Sequence, residues 1–193
     1  MSKLETNTID TVSGTSTLQV GSTNTSTITL GVSGDTINVP SGVTINNNGT
    51  QTGFGGTNTP AFHARVNSAV STTDNVETKV TFGAEDFDTD SAYDTSTSKF
   101  TVPSGKAGKY FIYSMIRVDS ATDSEIYDIK IKKNGSEVLN YAANQYRYTS
   151  ASVSATLDLA VSDYLEVYVL ISNNLSLRND QKECYFGGYK LVE

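Results

Sequence analysis

The chain has 193 residues, a net charge of -7 and one cysteine, and these values exclude several classes of protein. Nucleic-acid binding needs clustered Lys and Arg, whereas 21 Asp and Glu outnumber 14 Lys and Arg here. A single cysteine excludes an internal disulfide. No apolar run approaches the length of a membrane span, and MSKLETNTIDT does not resemble a signal peptide. We therefore expect a product made in the cytoplasm, with no nucleic-acid partner and no membrane insertion.

The first 59 residues differ in composition from the rest of the chain. Thr, Ser, Asn and Gly occupy 38 of these positions, and Phe54 is the one aromatic residue among them. The other 17 Tyr and Phe residues lie in 60–193. This change predicts a domain boundary near Pro60, reached through a Gly-rich linker.

Small apolar residues recur in pairs spaced two apart in the N-terminal segment, which is the spacing that places two strand side chains on one face. The pairs are Leu18 and Val20, Ile28 and Leu30, Ile37 and Val39, and Val43 and Ile45. Gly and Asn separate them, so the pattern predicts very short strands joined by turns. Such strands are too short to build a core in one chain, and three copies wound around one axis would cover them. The alternative is a flexible tether that a partner orders. We expect 1–12 to be a docking arm and 13–59 to be a β-shaft with its linker.

Longer alternating segments follow Pro60 and predict an antiparallel all-β head. The expected strands are 76–82, 109–118, 125–135, 152–161, 164–171 and 184–192. The Asn134-Gly135 pair indicates a hairpin turn. The nearly continuous apolar run at 164–171 is typical of a central strand. In 152–161, the residues expected on one face are Val153, Ala155, Leu157, Leu159 and Val161.

Motifs in this second part resemble the globular-head family of complement C1q, one of the tumour-necrosis-factor-like jelly rolls. The motifs are Tyr93-Asp94, Phe100-Thr101-Val102-Pro103, Gly105, Gly108, Tyr110-Phe111-Ile112-Tyr113, Lys133-Asn134-Gly135, Leu157 and Leu159 with Asp163 and Val167, and Tyr185–Leu191. They occur in the family's order across 60–193. Ser162 stands where the family usually has Gly. The resemblance implies a ten-stranded jelly roll that assembles as a homotrimer beside an N-terminal stalk.

The N-terminal segment has no Gly-X-Y period, which excludes the collagen stalk of animal relatives. A Thr/Asn/Gly-rich stalk joined to a small β head is similar to bacteriophage fibre and virion surface proteins. The resemblance implies a protein of the virion surface that contacts other virion proteins through its N-terminal arm. A cellular adhesin of the same family is a third possibility, which the lack of a signal peptide disfavours.

Catalysis is not expected from this sequence. His63 is the only histidine, and a histidine on the first strand at a subunit contact is the simpler interpretation. Cys184 precedes an apolar strand and is expected to be a buried, inert thiol. A depolymerase fibre would need paired carboxylates in a groove and usually carries a much longer body.

An acidic run contains Asp86, Asp88 and Asp90, whose spacing is that of the start of a calcium loop. Ser91 and Thr97 stand where an EF-hand needs Gly and Glu, so an EF-hand is excluded. A looser calcium site formed by oxygen ligands stays open beside the simpler interpretation of a solvated acidic loop. No other cofactor is indicated.

Two polar segments are candidate contacts for a host glycan or protein, because Tyr and Arg are enriched where surfaces bind partners. The candidate residues are Tyr141, Asn144, Gln145, Tyr146, Arg147 and Tyr148 in the first segment, and Asn173, Asn174 and Arg178 in the second. Packing within a trimer is the alternative for the tyrosines. The expected function is host-surface adhesion by a trimeric fibre or spike. The alternative is a capsid or tail decoration protein that stabilises the particle.

Overall fold

The computed structural model describes residues 20, 26–49, 58–119, 124–145, 150–179 and 182–191. The chain divides into two units, Met1–Gln51 and Thr52–Glu193. The predicted docking arm and Leu18 lie outside the described residues. No helix that the structure describes is long and apolar enough to cross a membrane.

The first unit forms turns but no strand between residues 26 and 49. Gly34 and Gly42 adopt φ values of 96° and 86°, which favour glycine, and the Val43 N–H donates to the Pro40 carbonyl over 3.2 Å. The predicted turns at these glycines are therefore confirmed. The predicted short strands do not form in a single chain, because their backbone groups have no neighbouring strand to pair with.

The second unit, called the head below, is a sandwich of antiparallel strands. In chain order the strands are β1 (Ala61–Arg65), β2 (Val70–Ser71), β3 (Thr78–Lys79), β4 (Ala84–Asp88), β5 (Tyr93–Asp94), β6 (Lys99–Thr101), β7 (Gly108–Asp119), β8 (Ser124–Lys133), β9 (Ser136–Gln145), β10 (Ser150–Leu159), β11 (Tyr164–Ile171), β12 (Ser176–Leu177) and β13 (Tyr185–Lys190).

Two sheets enclose one core. The first sheet has the order β2-β12-β7-β13-β1-β4, with β10 paired to β7, and the second has the order β5-β6-β11-β8-β9, with β3 paired to β11. Alternate residues from both sheets meet in a buried layer that includes Phe62, Phe100, Ile112, Ile129 and Phe186. The Phe62 and Phe100 rings stack with centroids 4.6 Å apart. The antiparallel sandwich predicted from the alternating segments is confirmed.

Each of the six predicted strands has an observed counterpart, and the other seven strands that the structure describes had no predicted range. β9 was not predicted, although the turn at Asn134 and Gly135 required a partner for β8. The predicted strand at 76–82 is reduced to Thr78–Lys79. β10 ends at Leu159, so Val161 is not on its inner face and is 45% exposed. β11 lies between β6 and β8, which confirms its central position.

The strand directions give the head two distinct ends. Residues 58–60 enter at one end, where the Lys190 N–H donates to the Pro60 carbonyl. β9 finishes at Gln145 and β10 begins at Ser150 at the opposite end. The Tyr127 hydroxyl donates to the Ile116 carbonyl over 2.8 Å and joins the two sheets there. We call this opposite end the distal end.

The turn between β10 and β11 contains the serine that departs from the family pattern. Ser162 has a φ of 70°, a left-handed conformation that disfavours residues with a Cβ. Its N–H donates to the Val102 carbonyl over 3.0 Å, and the Asp163 carboxylate accepts from the Ala160 N–H over 2.8 Å. The turn thus has a backbone conformation that suits glycine, held by these hydrogen bonds.

We expect Ser162→Gly to stabilise the head by roughly 1 kcal/mol, because glycine adopts this φ without steric cost. Chemical denaturation followed by near-UV circular dichroism measures the change. Ser152→Gly, at an exposed strand position of β10, is the matched control and should destabilise by roughly 0.5–1 kcal/mol. An unchanged or lower stability of Ser162→Gly would contradict the assignment of strain to this turn.

Candidate functional site

The outer face of the first sheet carries six neighbouring rings, which we call the aromatic face. Side chains alternate along β7, so Tyr110 and Ile112 point into the core, whereas Phe111 and Tyr113 point outward. The rings of the aromatic face are His63 on β1, Phe87 on β4, Phe111 and Tyr113 on β7, and Tyr185 and Tyr189 on β13. Phe87 is 50% exposed, and the other five are partly buried.

The rings form one connected cluster. His63 lies at its centre, with ring centroids 6.1 Å from Phe87, 5.9 Å from Tyr113 and 5.2 Å from Tyr185. Phe111 extends it, 6.1 Å from Tyr113 and 5.7 Å from Tyr189. Aromatic rings are enriched in the buried parts of protein interfaces, so this face has the composition of a contact surface.

Tyr113 is held against a glycine. A Cβ built on Gly187 would lie 2.5 Å from the Tyr113 Cζ and Oη atoms, so the ring occupies the space that a side chain would take. The Tyr113 hydroxyl is 3.0 Å from His63 Nδ1. Burial raises the pKa of the Tyr113 hydroxyl. The fixed ring and its hydrogen bond orient His63 within the cluster.

Two charged side chains border His63. Arg65 Nε donates to Asp86 Oδ1 over 2.7 Å, while His63 Nε2 is 3.8 Å from Asp86 Oδ2. Burial is the main cause that lowers the pKa of His63; the Asp86 carboxylate opposes this effect and the Arg65 guanidinium adds to it. The imidazole is therefore held in its neutral form at neutral pH.

The outer face of the second sheet carries paired charged side chains beside two tyrosines, Tyr164 and Tyr168, which lie under Lys99 and Lys132. Glu166 Oε1 lies 2.6 Å from Lys79 Nζ and 3.8 Å from Lys99 Nζ. Lys130 Nζ lies 3.1 Å from Glu137 and 3.5 Å from Glu77. Paired charges of this kind are suited to contact with water. Of the two outer faces, the aromatic face gains more from being covered.

A second apolar surface lies along the open side of the sandwich, where β9 and β10 are the edge strands. Leu139 on β9 and Val153 and Leu157 on β10 face the interior but are only partly buried. Tyr141 pairs opposite Ile129, a core residue, and yet is 46% exposed. We call Leu139, Tyr141, Val153 and Leu157 the edge seam.

The three predicted calcium ligands do not converge. Asp86 pairs with Arg65, and the Asp88 carboxylate accepts from the N–H groups of Ala92 and Tyr93. Asp90 Oδ1 lies 3.1 Å from Lys106 Nζ. In the part of the chain that the structure describes, no group of three or more His, Cys, Asp or Glu side chains is placed to hold a metal ion.

The first candidate contact segment is divided between a strand and residues outside the described ones. Tyr141, Asn144 and Gln145 belong to β9, a strand for which the sequence predicted no range. Tyr146, Arg147 and Tyr148 lie outside the described residues. The segment is nevertheless continuous with the distal end, which β9 reaches at Gln145.

The second candidate segment also lies at the distal end, after β11. The Asn174 side chain accepts a hydrogen bond from the Asp74 N–H over 2.8 Å, and the Asn173 N–H donates to the Asp74 carboxylate over 2.8 Å. Arg178 Nε is 3.1 Å from Glu183 Oε2. The fold therefore brings the ends of both candidate segments to one end of the head, while Asn174 and Arg178 also hold their own loops.

A C1q domain model matches residues 61–191. The chain belongs to the C1q domain family. The globular domain of zebrafish complement 1qA protein is similar in structure, with a TM-score of 0.51, 18% identity, and coverage of 68% of this chain and 97% of that one. Murine APRIL gives a TM-score of 0.54 at 16% identity, covering 68% of this chain and 98% of that one. Eiger TNF from S. frugiperda gives 0.54 at 18% identity, covering 69% and 92%.

No curated protein matches the sequence. The similarity to these solved structures establishes the fold of the C1q domain. Because the sequence identities are low, it does not establish what the domain binds. The resemblance recognised from the motifs at Tyr93-Asp94 and after Phe100 is confirmed. Cys184 is buried in the C1q domain, as expected, and His63 lies on β1, as expected.

The aromatic face was not identified as a site from the sequence. Its signal was present in β7, where both alternating sets of side chains are largely apolar or aromatic: Tyr110 and Ile112 on one side, Phe111 and Tyr113 on the other. A strand with one solvated face would alternate with polar residues instead. The two-sided pattern indicates a sheet with apolar side chains on both faces.

We expect Gly187→Ala to destabilise the C1q domain by roughly 1–3 kcal/mol, since the new methyl group must displace the Tyr113 ring. Chemical denaturation measures the change. In a Tyr113→Ala background the same substitution should cost much less, because the ring that it displaces is absent. Equal costs in both backgrounds would contradict the packing of Tyr113 on Gly187.

Proposed function

We propose that the protein is a homotrimeric bacteriophage virion protein that displays its C1q domain for adhesion to a host-surface glycan or protein. In this proposal residues 1–12 bind other virion proteins, 13–59 form a β-shaft and linker, and 60–193 form the head. The observation that carries the proposal is the aromatic face, which one protomer leaves partly exposed.

The head carries two different apolar surfaces, and this favours a cyclic assembly. The aromatic face and the edge seam lie on different strands, so one protomer's aromatic face can cover its neighbour's edge seam. A contact between unlike surfaces is head-to-tail and closes into a ring at a suitable rotation. The C1q resemblance implies closure after three copies. Tyr141 would then contribute to packing within the trimer.

The N-terminal unit supports the same stoichiometry independently. The described apolar residues of the predicted shaft pairs are exposed in a single chain, from 40% for Val39 to 65% for Leu30, and Val32 beside them is 78% exposed. The others are Val20, Ile28, Ile37, Val43 and Ile45. Burial of these side chains would require neighbouring copies, as the intertwined shaft predicts.

The assignment to a bacteriophage particle rests on the N-terminal composition. Thr, Ser, Asn and Gly dominate residues 1–59, and such stalks joined to small β heads are similar to phage fibre proteins. The proposed location is the virion surface, following synthesis in the host cytoplasm. An origin in a bacteriophage is also consistent with a C1q domain that is not joined to a collagen stalk.

Recognition is proposed to occur at the distal end of the head. Both candidate segments reach this end, and Tyr and Arg residues are frequent in contact surfaces. A trimer presents three copies of each segment, and many trimers on a particle bind together. Weak single contacts then give strong attachment through avidity.

One observation favours the second candidate function, decoration of the capsid or tail. Asn174 and Arg178 already bind Asp74 and Glu183 within the head, which leaves fewer of their polar atoms for a receptor. A decoration protein needs rigid loops and a stable trimer but no exposed binding groups. The two functions differ in whether the isolated protein competes for host cells.

We expect light scattering of the full chain to give three times the 20.7 kDa chain mass. Tyr189→Asp should lower the thermal midpoint of the head, because it places a charge in the covered aromatic face. Tyr168→Asp, on the outer face of the second sheet, is the matched control and should change the midpoint less. A monomer mass for the unaltered chain would contradict the trimer.

We expect purified trimers to reduce adsorption of the phage to its host cells. Arg147→Ala together with Tyr148→Ala should weaken this competition while the trimer mass stays unchanged. Ser104→Ala, an exposed turn residue near the end where the chain enters the head, should compete like the unaltered protein. Trimers that bind the particle but never compete for cells would support decoration instead of adhesion.

A further inference from the structure

We propose that His63 makes assembly of the head dependent on pH, so that acidification weakens contact through the aromatic face. The inference concerns regulation of the surface described above, and it rests on the proposed trimer. It combines the position of His63 among the rings with its place as the only histidine in the chain.

His63 is placed where a positive charge would be costly. Its imidazole lies at the centre of the aromatic face, between the rings of Phe87, Tyr113 and Tyr185. A neighbouring protomer that covered these rings would remove the water that remains around the imidazole. Desolvation disfavours the charged form of a histidine, so assembly favours neutral His63.

The charged groups around His63 do not remove this cost. Arg65 on the same strand repels an imidazolium, and Asp86 on β4 attracts it from 3.8 Å. Asp86 is already paired with Arg65 at 2.7 Å, which reduces its net attraction. The side chains that face His63 from β7 and β13 are Tyr113 and Tyr185, neither of which is a carboxylate that could balance an imidazolium.

The direction of the effect follows from proton linkage. A free protomer binds a proton on His63 more readily than an assembled one, because its aromatic face is uncovered. Assembly is therefore unaffected above the His63 pKa of the free protomer and weakens as the pH falls through that value. The loss stops once the pH is below the lower pKa of His63 in the trimer.

Burial already lowers the pKa of His63 below its ordinary value in a single protomer. The weakening should consequently begin at or below about pH 6.5, the usual value for histidine. Each pH unit in the sensitive range reduces the association constant by up to tenfold per protomer, or about a thousandfold for three protomers.

The experiment compares the full chain at pH 7.5 and pH 5.0 over a series of protein concentrations. Light scattering gives the mass, and near-UV circular dichroism gives the thermal midpoint of the head. All 11 tyrosines lie in 60–193, so the tyrosine signal reports the head even if the shaft stays assembled. We expect the head of the unaltered chain to melt at a lower temperature at pH 5.0.

His63→Gln and His63→Phe are the two test variants, and neither can be protonated at this position. The pH-dependent loss of thermal stability should be much smaller in both. Two variants are used because a glutamine retains a polar group and a phenylalanine retains a ring. If either one still assembles at pH 7.5, it provides the comparison.

A third measurement distinguishes an effect on assembly from an effect on the folding of a single protomer. In the Tyr189→Asp background, where the aromatic face is disrupted, replacement of His63 should change the pH dependence less. An equal effect in both backgrounds would assign His63 to protomer stability and overturn the inference.

The remaining outcomes are also distinct. A trimer whose head melts at the same temperature at both pH values, or variants as pH-dependent as the unaltered chain, would overturn the role of His63 and leave the trimer intact. A monomer at pH 7.5 would overturn the proposed assembly itself. If both variants are monomeric at pH 7.5, His63 is required for assembly as a packing group and the switch is overturned.

Discussion

Strand β7 has apolar side chains on both of its faces, and the sandwich can bury only one of them. Tyr110 and Ile112 enter the core between the sheets. Phe111 and Tyr113 point away from it and join rings from β1, β4 and β13. A two-layer domain has no third layer to cover this face, so any further cover would come from another molecule. The proposed trimer is one way to meet that constraint.

The two outer faces of the head have opposite character. One is a cluster of rings with Gly187 directly beneath Tyr113, and the other is a set of matched lysines and carboxylates around Glu166 and Lys130. In the proposed assembly this contrast leaves water against the charged sheet and places neighbouring protomers against the aromatic one. The N-terminal unit also has apolar side chains that are exposed in one chain, although they are smaller, and Ile28 and Ile37 are examples.

Much of the fold was predictable from local patterns because antiparallel strands are specified by alternation and by turn residues. The runs at 109–118 and 164–171 became β7 and β11 for that reason. β9 was missed because SEVLNYAANQ has few residues that alternate strongly; its partner β8 and the Asn134-Gly135 turn define it. At 76–82, Val80 and Phe82 are buried as core residues, but pairing with β11 extends over only Thr78 and Lys79.

The candidate sites were less predictable, because a site is made of residues distant in the sequence. The acidic run appeared as three ligands in a row, yet the partners of Asp86 and Asp90 are Arg65 and Lys106, which lie on other segments. The six rings of the aromatic face come from four strands, and only the hydrogen-bond registers of those strands place His63 beside Tyr113 and Tyr185.

The sequence by itself determined the all-β class, the family, the turns, and the change of composition near Pro60, since each depends on neighbouring residues or short motifs. Only the tertiary structure decided which apolar side chains remain outside the core. Alternation along the strand predicts that Phe111 and Tyr113 share a face of the first sheet. Sheet order and packing decide which face of that sheet the second sheet covers. That choice leaves the aromatic face uncovered in a single protomer and places the one histidine at its centre.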